Sequence, residues 1–440
     1  MRSKRMAIYT AIIVGITCAA GAAWAQEPAQ SAKIDSGDTA WVMISAALVL
    51  LMTAPGLALF YGGMVRRKNV LATLMQSFIL AGLVSVQWVL FGYSLAFGPD
   101  WHGLIGNLAW AGLNGVGAAP NPEYAATIPH QAYMIYQCMF AIITPALITG
   151  AFAERITFRG FVIFSLLWMT LIYDPLAHWV WGTGGWIHRL GALDFAGGTV
   201  VHISSGISAL AAALVIGKRI GFPQEPMPPH NLTLTLMGAG MLWVGWFGFN
   251  AGSALGANGL AVSALVATHV ATAAASLSWM FAEWAARGKP TVLGAASGAV
   301  AGLVAITPAS GYVAPMPALV IGAAAGIVCF FAVRVKFTVG YDDALDVVGV
   351  HGVGGTLGAL LTGVFASKLI NPAGANGLLS GNPSQVLIQL VAVLASISFA
   401  FVGSLILLKV TDVMVGLRVH TDEERMGLDL SEHEEAGYTF

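Results

Sequence analysis

Charge is what this sequence has least of. Only 9% of its 440 residues are Asp, Glu, Lys or Arg, against about 25% in an ordinary soluble domain. A water-facing surface needs more ionised groups than that, so a soluble globular protein is excluded. The 20 basic and 21 acidic residues nearly cancel, to a formal net charge of −1. That excludes the basic footprint of a nucleic-acid binder and the high net charge of a disordered chain. Cysteine is scarce too. Cys18 falls in a leader-like segment, and Cys138 and Cys329 fall inside apolar runs. No disulfide framework is indicated, and there is no CxxC or His-rich tract to suggest a structural metal.

What is present is 57% hydrophobic residues, 53 glycines and a mean hydropathy of +0.77. This describes a polytopic bundle whose small residues let helices approach closely. At the N-terminus, Arg2, Lys4 and Arg5 precede an apolar run at 7–20 and the small-x-small site Ala23-Trp24-Ala25. These predict a signal peptide over 1–25, cleaved before Gln26. An uncleaved first helix is the alternative, although the run is short for a span. Either way Gln26 starts outside.

Beyond it, apolar runs predict eleven spans, near 39–61, 71–97, 131–153, 159–181, 192–216, 232–250, 259–284, 291–308, 315–335, 343–366 and 386–410. With the mature N-terminus outside, the inner segments hold fourteen Lys and Arg and the outer ones only Lys33, Arg189 and Lys368. The expected fold class is therefore an all-α integral membrane protein of eleven transmembrane helices, N-terminus outside and C-terminus inside. The last 30 residues hold eight of the 21 acids. This tail reads either as a solvated, partly disordered end or as a docking or regulatory segment.

Val201-His202-x-x-x-Gly206 on the fifth span recurs as Val350-His351-x-x-x-Gly355 on the tenth. Five spans is an odd number, so the halves 39–216 and 232–366 form an inverted-topology repeat, followed by a last helix at 386–410. His202 lies ten residues into its predicted span and His351 eight into its own. At 1.5 Å per residue these are about 15 and 12 Å deep, near the middle of a ~30 Å core.

Ionisable groups inside a membrane are usually functional. Most of Asp174, His178, Asp194, His269, Glu283, Asp342, Asp343 and Asp346 fall near predicted span ends, where water can solvate them; His202 and His351 do not. The two histidines admit three readings. They can be packing residues bonded to backbone carbonyls. They can be metal ligands, a poor reading because metals want three or four ligands. Or they can share a proton path through a narrow apolar pore, the reading their small neighbours favour. Asp194 opens Asp194-Phe195-Ala196-Gly197-Gly198, where it can cap a helix by accepting from backbone N–H groups. That structural role is preferred to a direct cation contact.

Four stretches then identify the chain as similar to the ammonium transporter family (Amt/Mep/Rh), bacterial Amt type. They are Asp194-Phe195-Ala196-Gly197-Gly198-Thr199-Val200-Val201-His202, Gly245-Trp246-Phe247-Gly248-Phe249-Asn250-Ala251-Gly252-Ser253, Pro55-Gly56-Leu57-Ala58-Leu59-Phe60-Tyr61-Gly62-Gly63 and Asp346-Val347-Val348-Gly349-Val350-His351-Gly352. The tail Gly416-Leu417-Arg418 … Gly427-Leu428-Asp429 resembles the bacterial Amt C-terminus. The resemblance covers nearly all of 26–415, and 416–440 matches the family's regulatory tail.

The resemblance implies a homotrimer in the cell inner (cytoplasmic) membrane, with one pore per protomer, no enzymatic activity, no cofactor and no metal. It makes His202 and His351 the twin pore histidines and Phe140 and Phe249 the stacked gate. Trp181, Ser253 and Phe140 become the ammonium recruitment site, Trp246 a pore-lining residue, and Asp194 a structural residue beside the site. Ammonium would be recruited at the outer mouth, deprotonated, and conducted as ammonia with a separately relayed proton. A PII-type signal protein is an implied partner at the cytoplasmic face, where Gly427, Leu428 and Asp429 belong to the regulatory tail. The alternatives are an ammonium sensor signalling through such a partner, a passive ammonia gas channel, or a membrane enzyme with a histidine metal site, for which no ligand set is evident.

Overall fold

Apolar backbone in hydrocarbon can satisfy its N–H and C=O groups only within itself, as helix or closed barrel. This chain forms helices. The computed structural model describes residues 33–438, so the expected signal peptide at 1–25 lies outside the described residues. The helices are α1 (Ser36–Met64), α2 (Arg67–Phe97), α3 (His130–Phe152), α4 (Phe158–Leu190, broken by a turn at 182–185), α5 (Gly198–Ile216), α6 (Leu232–Ala251), α7 (Gly259–Arg287), α8 (Val292–Ile306), α9 (Pro315–Val339), α10 (Val348–Phe365) and α11 (Ser384–Val415). Two short helices follow in the tail, α12 (Thr421–Met426) and α13 (Leu428–His433).

Ten of the helices are long and apolar enough to cross a membrane. The eighth expected span is the shorter α8. Its 15 residues make about 22 Å of helix, and the chain continues from it through buried turns at 307–311. Several helices outrun the apolar runs that predicted them. An apolar run stops at the first charge, whereas α11 continues past Lys409 and Asp412 to Val415.

Two starts come later than expected, and this matters for the site. α5 begins at Gly198 and α10 at Val348, leaving Asp194 and Asp342, Asp343 and Asp346 in the loops before them. His202 and His351 therefore lie in the first turns of their helices, not eight to ten residues along. Their matched placement survives the correction.

Six helices contain a widened π-turn: Met52–Leu57, Trp88–Gly92, Met169–Tyr173, Gly198–Ile203, Phe247–Ala251 and Val348–Val353. In α1 the cause is visible, because Pro55 has no N–H to give the ladder. α5 and α10 cross where Gly206 meets Gly352. A Cβ on Gly206 would overlap the Gly352 backbone, so only glycine permits this approach.

The tail is ordered as far as residue 438, which replaces the partly disordered reading. Two of its acids are bound by helix N-termini, whose first N–H groups lack partners within the helix. Asp429 accepts from the Ala72 N–H of α2 at 2.9 Å, and Glu432 from the Phe158 N–H of α4 at 2.9 Å. Leu428 donates its N–H to Asn69, and Arg418 pairs with buried Glu424 at 2.8 Å.

Beside the tail lies a buried ion network. Glu154 meets Arg66 at 2.7 Å and Arg219 at 3.3 Å, and Arg219 meets Asp342 at 2.9 Å. Burial pushes the Glu154 and Asp342 carboxyls up, but their arginine partners together outweigh it and hold both below the ordinary carboxylate range.

Candidate functional site

The site is built where the first turns of α5 and α10 meet the π-turn of α6. Asp194 fixes the start of α5. Its carboxylate accepts from the N–H groups of Gly197 at 2.7 Å, Gly198 at 2.6 Å and Thr199 at 2.8 Å, and also from the Thr199 hydroxyl. Gly197 supports this turn with a φ of 116°, a conformation that suits glycine. The cap is saturated, so Asp194 holds the helix and has no oxygen to spare for a cation.

The capped helix delivers His202 to a buried position facing His351 of α10. The two Nδ1 atoms lie 3.2 Å apart. One imidazole donates across this contact and the other accepts. His202 Nε2 has no hydrogen-bond partner among the described residues. The Trp246 ring stacks on His202 at 5.4 Å, itself fixed by a bond from its Nε1 to the Thr307 hydroxyl at 2.9 Å.

On the Asp194 side of the histidines, Phe140 of α3 stacks on Phe249 of α6, with centroids 4.2 Å apart and planes 29° apart. Phe249 also lies 6.1 Å from the His202 ring. Both phenylalanines are buried, and Phe140 borders a cavity of about 460 Å³. Trp181, Ser253, Phe140 and Asp194 all line that cavity. Trp181 meets Phe140 edge-on at 5.9 Å and donates its Nε1–H to the Asp194 carbonyl at 2.9 Å. Trp179, two residues away, turns outward to donate to the Leu104 carbonyl and pack on Phe399.

The sequence reading missed Tyr136. Its hydroxyl lies 2.9 Å from the Gly248 carbonyl, 2.8 Å from the Phe249 carbonyl and 3.1 Å from Ser253 Oγ, locking the α6 π-turn to α3. The signal was its place one helical turn before Phe140. Tyr133, Gln137 and Tyr312 also line the cavity.

Several ionisable candidates lie elsewhere and are more buried than solvated span ends would be. Asp174 is fully buried against Gln87 at 2.7 Å. His178, also buried, contacts Asp100 at 2.9 Å, and Asp100 in turn pairs with Arg189. Buried Glu283 accepts from Thr291 across the α7–α8 turn, whereas His269 is exposed and lies against Trp243 and Phe247. Gly427, Leu428 and Asp429 sit in the tail contacts described above.

The arrangement is an aromatic-rimmed cavity, a stacked pair of phenylalanine rings and a buried pair of imidazoles. It can weaken the hydration of a small cation, select it by a hydroxyl acceptor, and present an apolar passage with hydrogen-bonding nitrogens.

Residues 40–438 match the model of the Ammonium Transporter Family. The chain is 52% identical to the ammonium transporter of Bacillus subtilis (strain 168) over 405 residues, covering 91% of this chain and 98% of that protein. It is 48% identical to ammonium transporter Amt1 of Archaeoglobus fulgidus, over 92% of this chain and 100% of that one. Among solved structures it resembles Saccharomyces cerevisiae Mep2, with a TM-score of 0.84, 37% identity and 89% of each chain covered. It also resembles a sensor Amt protein, with a TM-score of 0.84, 30% identity, and 90% of this chain and 98% of that chain covered.

Proposed function

Because the chain belongs to the ammonium transporter family, we propose that it takes up ammonium by recruiting the ion at the Trp181–Ser253 cavity, stripping a proton from it, and conducting ammonia past His202 and His351. The observation that carries this reading is the serial order of cavity, stacked phenylalanines and paired imidazoles.

The physical logic is selection by chemistry. Ammonium and potassium match in size and charge, so attraction alone cannot separate them. Ser253 Oγ offers an acceptor to a cation that can donate, and the Trp181 and Phe140 rings offset lost hydration by roughly 0.5–2 kcal/mol each. Beyond the gate a bare charge is very costly. Ammonium avoids that cost by leaving a proton behind, whereas potassium has none to leave. The imidazoles hydrogen-bond the ammonia and relay the proton.

In this reading the cavity is the outer mouth, the tail-bearing face is cytoplasmic, and the mature N-terminus is outside. Eleven spans, α8 included, make two five-helix inverted repeats and a last helix. The paired caps, π-turns and histidines of α5 and α10 support that symmetry. The protein works as a homotrimer in the inner membrane, and the docked tail is the contact for a PII-type partner. A purified PII protein that binds in no nucleotide state would remove that partner.

The test is current from the purified protein in liposomes on a solid-supported membrane, pulsed with ammonium and then potassium. Current with ammonium alone supports electrogenic, selective transport. Alkalinisation of the lumen without current would replace it with a gas channel. Likeness to a sensor Amt protein keeps a second reading in view. Failure to restore growth on low ammonium, with ammonium binding intact, would favour the sensor.

A further inference from the structure

Asp194 stands eight residues before His202, and Asp343 stands eight residues before His351. Each carboxylate caps the helix that carries the histidine, and each helix opens with a π-turn containing it. Asp343 Oδ2 accepts from the Val348 N–H at 2.8 Å. The two caps differ in how full they are. Both oxygens of Asp194 are engaged. Asp343 is 1% exposed, yet its Oδ1 has no hydrogen-bond partner among the described residues. The neighbouring cation does not serve it: Lys336 Nζ donates to the Asp343 backbone carbonyl at 2.7 Å and pairs with Asp346 at 2.6 Å. A buried acceptor without a donor is unfavourable, and its persistence calls for an explanation.

Its surroundings also tune it. Burial pushes the Asp343 carboxyl up, Lys336 pulls it down and Asp346 pushes it up again, leaving it at about 6. Tyr61 of α1 and Tyr341 face the same pair of carboxylates, and the Tyr61 hydroxyl is committed to the Leu147 carbonyl. A carboxyl so placed exchanges protons near neutral pH.

We infer that Asp343 is the proton acceptor at the inner end of the transport path. This rests on the transport reading above. Its free oxygen takes the proton that the histidines pass inward through water. The resulting carboxylic acid then gives that proton to the lone pair of the departing ammonia. An O–H bond breaks and an N–H bond forms, and the products are ammonium and the regenerated carboxylate. Asp194, with both oxygens engaged, has no such capacity, so one repeat supplies a rigid cap and the other a working one.

The test is ammonium-driven current in liposomes with the internal pH stepped from about 5 to about 8. In wild type the current falls as the lumen is acidified through a midpoint near 6, because a protonated Asp343 cannot accept. Asp343→Asn keeps an oxygen for the Val348 N–H but cannot ionise. It is expected to keep the oligomeric state and ammonium binding at the outer mouth, to lose current about tenfold or more, and to lose the midpoint. Asp346→Asn removes the carboxylate that raises Asp343 and frees Lys336, so the midpoint moves to lower pH. Asp343→Asn with wild-type current and an unchanged midpoint would overturn the inference alone. A wild type without ammonium current would overturn the transport reading and this inference with it. Should Asp343→Asn not fold, a wild-type midpoint unmoved by Asp346→Asn would still overturn the inference.

Discussion

The histidines, Ser253 and the gate rings act as single side chains, and their predictions belong at that scale. Replacing both His202 and His351 by Ala removes the two buried rings and leaves a wider space, lined by methyl groups, that water can enter. The double variant is expected to carry potassium as well as ammonium, read as current on a solid-supported membrane; continued silence toward potassium would move selectivity to the gate. Ser253→Ala removes one acceptor at the mouth and leaves the Tyr136 hydroxyl its two carbonyls. One hydrogen bond of about 0.5–1.5 kcal/mol predicts a two- to tenfold rise in the half-saturating ammonium concentration, with maximal current preserved. Among these side chains, His202, His351 and Asp194 were legible from the residues alone, because an ionisable group in an apolar run stands out. Phe140, Phe249, Trp181 and Trp246 were not, since aromatics are common and only the family resemblance picked them out. Tyr136 escaped both routes, because its partners lie more than 100 residues away, in and just after α6.

At the scale of the element, the bundle was readable because each apolar run is long and uninterrupted. What the runs hid were the ends and the irregularities. A π-turn adds one residue to a turn without changing composition, so none of the six could be seen. The late start of α5 was hidden as well, because the loop before it, 191–197, holds a single charge; the loop before α10 carries Asp342, Asp343 and Asp346, which marked it as less apolar than the helix. The cap at the head of α5 yields a prediction of its own. Asp194→Ala leaves the N–H groups of Gly197, Gly198 and Thr199 without an acceptor. A lost cap costs about 0.5–2 kcal/mol, so the variant is expected to unfold at lower temperature in detergent. Asp194→Asn, which retains an acceptor oxygen, is expected to recover most of that loss. Equal melting of both variants would argue that the charge, not the cap, is what matters.

At the scale of the whole molecule, one face is held by buried ions rather than by hydrocarbon. Glu154 and Asp342 join the loops after α3, α5 and α9 through Arg219, and both carboxyls titrate below their ordinary values of 4.5 and 3.8. A depressed carboxyl stabilises the fold fully above its unfolded value, and that contribution is lost as pH falls through the folded one. Thermal stability is therefore expected to decline below about pH 4.5. Glu154→Gln should be less stable than wild type near neutrality and should change less on acidification. A wild-type melting temperature that is flat from pH 7 to about pH 3 would contradict this.

The tail contacts also fix an order of events in the making of the protein. Asp429 closes the start of α2 across 357 residues of sequence, and Glu432 closes the start of α4 across 274. A ribosome adding about 5–20 residues per second delivers Asp429 roughly 20–70 s after α2 has been made. For that interval the head of α2 is in the membrane but unsealed, and the face it belongs to cannot set. A copy terminated before Asp429 therefore lacks both contacts.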